Sequence, residues 1–283
     1  MSATANAARA GVRRGWTEFT KSLRAPEDIG YYVIGTTVFV VVMFLNRHNE
    51  MEGTGLTTAQ FMLPGVLAFI VIFTAAFGLA TAVTTEREDG TLLRMKSLPH
   101  GMVGYVVGQT ARTSIEAVFN LVILAIPATL VIDALWVNGV SGVLHLLVLF
   151  ALGLLACVPL GFVVGSVFKN PRSVGGWGML VMGGLVMVSG VFFPILALPG
   201  WAQLVGQVTP LYWLGLGMRE AILPDAVVAL EISQSWRTLE VFGVLGAWAV
   251  VGLLLAPVLL RRMARRESGA AVEARRESAL QRV

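Results

Sequence analysis

Long apolar runs separated by short charged segments set the pattern of this chain. Five runs, at 29–45, 61–83, 143–168, 174–193 and 239–260, consist largely of Val, Leu, Ile, Ala, Gly, Met and Phe. About 20 such residues in helical form cross the hydrocarbon core of a bilayer, and each run is that long or nearly so. A sixth, at 103–135, contains Arg112, Glu116 and Pro127, leaving a usable apolar core over 117–135. The pattern predicts an all-α integral membrane protein with six transmembrane helices, in which 29–260 form a single transmembrane domain.

Ahead of the first run, Val12, Trp16, Phe19 and Leu23 recur at helical spacing, opposite Arg13, Arg14, Glu18 and Lys21. That arrangement predicts an N-terminal amphipathic interfacial helix within segment 1–28, lying in the headgroup layer and ended by Pro26. It serves as an anchor for the first span, or as an elbow that also touches a soluble partner. No signal-peptide core precedes the first run, so the N-terminus is expected to stay uncleaved.

Composition agrees with the pattern. Of 283 residues, 56% are hydrophobic and 13% charged, against about 25% charged in soluble domains. The net charge of +4 is no sign of nucleic-acid binding, because it lies outside the apolar runs. With the N-terminus inside, segments 1–28, 84–102, 169–173 and 261–283 carry five, three, two and seven Lys and Arg. The opposite segments carry three, Arg47, Arg219 and Arg237. The positive-inside rule then puts both termini, including a basic tail at 261–283, in the cytoplasm. The single cysteine, Cys157, excludes an internal disulfide and a thiolate metal site.

Two interruptions of the apolar pattern are unusual. "TEREDGTLLRMKSLP", residues 85–99, crowds charge into a segment with its own apolar side at Leu92, Leu93, Met95 and Leu98. With Thr85 as N-cap, acids in the first turn, bases toward the far end and Pro99 as the stop, it predicts one helix. An ordinary solvated loop is the alternative to a docking helix. "GVFFPILALPGWAQLVGQVTPLYWLGLGMREAIL", residues 190–223, is too broken by Pro and Gly to span, yet too apolar for a solvated loop. Irregular backbone at membrane depth survives when buried in protein or lining a cavity. This predicts an outer re-entrant pair of short helices between spans five and six, with Trp201, Tyr212 and Trp213 at the outer interface.

The first interruption resembles the cytoplasmic segment after the second span of type-2 ABC exporter permeases, the ABC-2 family. Glu86, Gly90, Thr91, Leu92 and Pro99 match its Glu-x-x-x-Gly-Thr-Leu pattern with a later Pro. The second resembles the family's outer segment through Phe193-Pro194, Leu198-Pro199-Gly200-Trp201, Pro210-Leu211-Tyr212 and Arg219, although Tyr212 follows Pro210 by only two residues. The resemblance covers most of the chain and is nearest the bacterial drug-resistance, daunorubicin-type branch. It implies that 85–99, with Glu86, Arg87, Glu88, Gly90, Thr91, Leu92, Leu93 and Pro99, is a cytoplasmic coupling helix seated on an ATP-binding subunit. It further implies two such subunits, which bind the ATP and Mg, a second permease copy, and export of a hydrophobic or amphipathic substrate across the plasma membrane. No cofactor is expected in this chain.

Other positions are weaker candidates. Phe39, Phe69, Phe73 and Phe77 line the cavity or simply pack. Gly153, Cys157, Gly161 and Gly165 form a row of small residues every fourth position, which lets helices approach closely. Arg112 and Glu116 share a helix face and pair, either along a substrate path or at the cytoplasmic end of a tilted third span. Asp133 is expected to be wet at the outer end of that span, and His145 to be interfacial.

No lysine follows glycine, so a P-loop is excluded. Ser166, Ser189, His100 and His145 show no spacing that pairs a nucleophile with a base for an intramembrane hydrolase. A self-contained, ion-coupled secondary transporter would show paired repeats with broken helices, and the sequence has no such repeat.

Overall fold

A computed structural model describes residues 3–51, 54–132, 138–168 and 170–266. The chain runs α1 (Ala3–Ser22), α2 (Pro26–Leu45), a hairpin of β1 (Glu50–Met51) and β2 (Leu56–Thr57), α3 (Thr58–Glu88) and the short α4 (Thr91–Lys96). Then come α5 (Gly101–Val131), α6 (Gly139–Val167), α7 (171–189), α8 (Gly200–Val208), α9 (Pro210–Ile222) and α10 (Thr238–Arg266). Antiparallel pairing in the hairpin sets Glu50 against Thr57 and Met51 against Leu56.

Among the described residues, α2, α3, α5, α6 and α10 are long and apolar enough to cross a membrane. The other expected span, 174–193, is helical only to Ser189, where Gly190 turns left-handed at φ 61° and ends the helix. Five glycines dilute α7, and a π-helical turn occupies Val174–Gly178. Arg112 and Glu116 are accommodated because α5 has 31 residues, about 46 Å at the helical rise, against a hydrocarbon core of about 30 Å. Its expected end, together with Asp133, lies outside the described residues, as do Lys169 and 267–283. Arg261 and Arg262, the first residues of the expected tail, continue the helix of α10.

Local signals account for the starts. Pro26 opens α2 with Glu27 and Asp28 in the first turn, where a missing N–H costs nothing and the dipole favours acids. Thr57 and Gln60 form a reciprocal capping box on α3, with bonds of 3.3 and 2.8 Å.

The core sits on α3 and α6, whose most apolar stretches are 56% and 50% buried, against 11% for α2 and 17% for α5. The row of small residues on α6 lies at this seam. A Cβ on Gly161 would fall 2.4 Å from the Ala75 carbonyl oxygen, and one on Gly165 2.8 Å from Val83 Cβ. Cys157 is fully buried, and Gly153 meets Leu214 of α9. A second close approach fixes α1 on α5. Gly11 and Gly15 face Gly104 and Gly108 so closely that a Cβ would sit 2.4 and 2.5 Å from their carbonyl oxygens. Phe19 is buried on that side, while Val12, Trp16 and Leu23 remain exposed.

Candidate functional site

The expected single helix over 85–99 is in fact two pieces. α3 runs without interruption through Glu88, so Thr85 is not a cap; its hydroxyl donates to the Thr81 carbonyl at 3.0 Å. Gly90, at φ 80°, breaks the chain in a left-handed conformation that a side chain would strain. Asp89 then accepts from the Thr91 N–H at 2.7 Å and starts α4. Glu86 and Glu88 therefore occupy the last turn of α3, where the helix dipole opposes carboxylates, and need cations from elsewhere.

Glu86 finds them across the fold. Arg14 Nη2 of α1 donates to Glu86 Oε1 at 2.6 Å, and Gln109 Nε2 of α5 donates to Oε2 at 2.8 Å. Arg14 also donates through Nε to Glu18 at 2.5 Å, and Arg112 lies 3.9 Å from Glu18 while donating to Glu116 at 2.7 Å. The result is a half-buried chain of alternating charge through α1, α3 and α5. Burial works to lower the pKa of Arg14, but its hydrogen bond to Glu18 and the charges of Glu86 and Glu18 outweigh that and hold it above its ordinary value. A groove of about 580 Å³ opens over this chain, lined also by Asp89, Thr91 and Arg94.

The neighbouring Arg87 reaches the other way, donating to the carbonyls of Phe168 at 2.8 Å and Gly165 at 3.3 Å. These carbonyls lie at the end of α6, where the helix's own N–H donors run out. Leu92 is fully buried, Glu88, Thr91 and Leu93 are half-buried, and Arg94, Lys96, Leu98 and Pro99 are exposed. The matched residues thus meet in one corner but divide into a buried root and an exposed tip. The sequence reading missed Gln109 and the role of Arg14. Arg14–Glu18 and Arg112–Glu116 are visible as pairs four residues apart; the partner of Arg14 at Glu86, 72 residues away, is not.

At the opposite end, Phe193 and Pro194 lead through a turn at Ile195–Ala197 to Leu198, Pro199 and α8, and Pro210 opens α9. α9 is enclosed by α3, α6 and α10. Tyr212 and Trp213 are consequently buried, and of the three aromatics expected at the interface only Trp201 is exposed. Trp213 Nε1 donates to the Gln207 carbonyl at 2.6 Å. Arg219, wholly buried, pairs at 2.6 Å with the equally buried Glu231 and donates to the Gly190 carbonyl at 3.3 Å. Burial pushes the Glu231 carboxyl above its ordinary range, and the pull of Arg219 offsets this only in part. Glu231 was not foreseen, though a lone acid between two apolar stretches was visible.

Phe39, Phe69, Phe73 and Phe77 form a half-buried ladder with centroid spacings of 4.9–5.8 Å, extended by Phe192. None of the four lines the cleft of about 840 Å³ between α5, α6 and α10. His145 stacks on Phe242, 4.0 Å from Glu220.

Comparison with known proteins bears on most of the chain. It is 26% identical over 165 residues to the Daunorubicin resistance ABC transporter permease protein DrrB1 of Streptomyces coeruleorubidus, covering 57% of this chain and 56% of that protein. The chain therefore matches little more than half the length of this relative. The profile described as ABC-2 family transporter protein matches residues 25–257, from the first turn of α2 almost to the end of α10. With five membrane-length helices beginning inside that match, this chain belongs to the ABC-2 transporter family and is a multi-pass membrane protein.

Proposed function

We propose that this chain is the membrane-spanning permease of an ATP-driven exporter, with the power supplied by separate ATP-binding subunits docked at α4. The carrying observation is the break at Gly90. It swings α4 off the end of α3, roots it through Leu92, and leaves Arg94, Lys96, Leu98 and Pro99 outward. Glu86 and Arg87 clamp the base of that lever to α1, α5 and α6. A push on α4 is then passed to several helices at once. ATP and Mg belong to the partner, and nucleotide binding shifts the permease only through different affinity for its two states.

In this reading α7 is the sixth crossing, α8 and α9 form the re-entrant outer segment, and both termini face the cytoplasm across the plasma membrane. A second copy seats against α7, where Trp177, Leu180 and Met187 are exposed and Gly175, Gly176, Gly183 and Gly184 have open space at Cβ. The cargo is hydrophobic or amphipathic, and daunorubicin, named by the relative, is the first to test. Liposomes holding the permease with its cognate ATPase should export it with ATP. Export driven by an ion gradient with no ATPase present would overturn the reading in favour of a self-contained carrier.

A further inference from the structure

A cleft of about 840 Å³ meets the site above only at Lys96, the last residue of α4. It exists because α5 leans on α1 and α2 rather than on α6, while α10 packs along the other flank of α6. α6 becomes the floor of a groove whose walls are α5 and α10. Val106, Leu155, Phe162 and Ala256 represent an almost wholly apolar lining, relieved only by Thr110 and Ser114. Among the described residues three cations rim it, Lys96 at the end of α4 and Arg261 and Arg265 one turn apart on α10, and no acidic side chain lines it.

Depth decides what fits. Along α6 the lining runs from Ala151 to Phe162, about 16 Å at the helical rise, and one leaflet of the hydrocarbon core is about 15 Å deep. Arg261 directly follows the apolar run 239–260, so the cationic rim falls at headgroup level. Leu155 and Leu253, about half exposed, leave the groove open sideways. The volume lies in the range of about 300–1,000 Å³ typical of small-molecule sites. Cations between helices at the membrane surface select anionic headgroups.

We propose that this cleft binds an anionic phospholipid, its acyl chain along α6 and its phosphate on Lys96, Arg261 and Arg265. The proposal requires only a membrane setting and does not rest on the exporter reading, with which it shares Lys96 alone. The full-length chain, in nanodiscs of phosphatidylcholine, would be labelled with phosphatidylglycerol carrying a photoactivatable acyl chain. Cross-links should concentrate in 102–114 of α5 and 253–257 of α10, and unlabelled phosphatidylglycerol, not phosphatidylcholine, should compete. Arg261→Gln with Arg265→Gln should lower that labelling by about tenfold or more, because each surface cation adds to anionic-lipid attraction. Val106→Trp, which fills the groove and keeps its charges, should do the same and decides the matter if the first variant fails to fold. Labelling spread evenly over α2 and α5, or equal competition by phosphatidylcholine, would overturn the proposal. So would labelling of the cleft that appears only after removal of 267–283, which would make the chain's own tail the occupant.

Discussion

The two ends of the molecule solve the same problem, a charge inside an apolar fold, in opposite ways. Near α4, Arg14, Glu18, Glu86, Arg112 and Glu116 form a branched chain in which side chains stay 13–27% exposed. At the far end, Arg219 and Glu231 form one pair with no exposure at all. A branched, half-wet network can exchange partners as its helices move. A dry pair has one opposite charge to lose, and breaking it leaves an uncompensated charge. The difference suits a part that transmits motion and a part that locks α9 in place.

The harshest way to break the contrast is to remove half of the dry pair. Arg219→Leu or Glu231→Leu should each cost about 3–5 kcal/mol, read as a collapse of thermal melting in detergent. The double replacement should melt higher than either single one, since it leaves no orphan charge. Equal melting of wild type and both single variants would remove the idea of a lock.

A smaller effect is expected where α1 meets α5. Gly15→Val would force a side chain into the Gly108 carbonyl, an overpacking cost of about 1–3 kcal/mol. The loss should be local, with α1 becoming protease-sensitive while the remaining helices melt cooperatively. Concerted unfolding instead would make α1 part of the core rather than an applied brace.

Within the wet network, Glu86→Gln should leave melting nearly unchanged and slow ATP-driven export about tenfold, a barrier change of about 1.4 kcal/mol. Leu98→Asp, at the exposed tip, should instead weaken capture of the ATPase without altering melting. If both variants export normally, the segment is a connecting loop. The mildest test sharpens the comparison with salt. Coupling between Arg14 and Glu86 in a double-mutant cycle should be about 1 kcal/mol or less. It should fade as the screening length falls from about 10 Å at 0.1 M to about 3 Å at 1 M, whereas coupling between Arg219 and Glu231 should hold.

Much of the architecture was legible because hydropathy is local. A run of apolar residues identifies a membrane-length helix whatever it packs against: 29–45, 61–83 and 239–260 fall within such helices, and 143–168 overshoots its helix by Phe168 alone. The capping of 85–99 was misread for an equally local reason. Thr85 and its acids satisfy a helix start, but the helix already arriving from Thr58 continued through them, and the left-handed Gly90 set the boundary instead. Tyr212 and Trp213 look like interfacial aromatics in sequence; only the enclosure of α9 by three helices makes them core.

The sequence by itself determined the class of the molecule, most of its long helices and the two segments that interrupt them, since each is written in neighbouring residues. Tertiary structure alone decided which charges meet. Arg14 reaches Glu86 across 72 positions and Arg87 reaches Phe168 across 81. Such pairings depend on how α1, α5 and α6 pack around the end of α3, and no window along the chain contains that information.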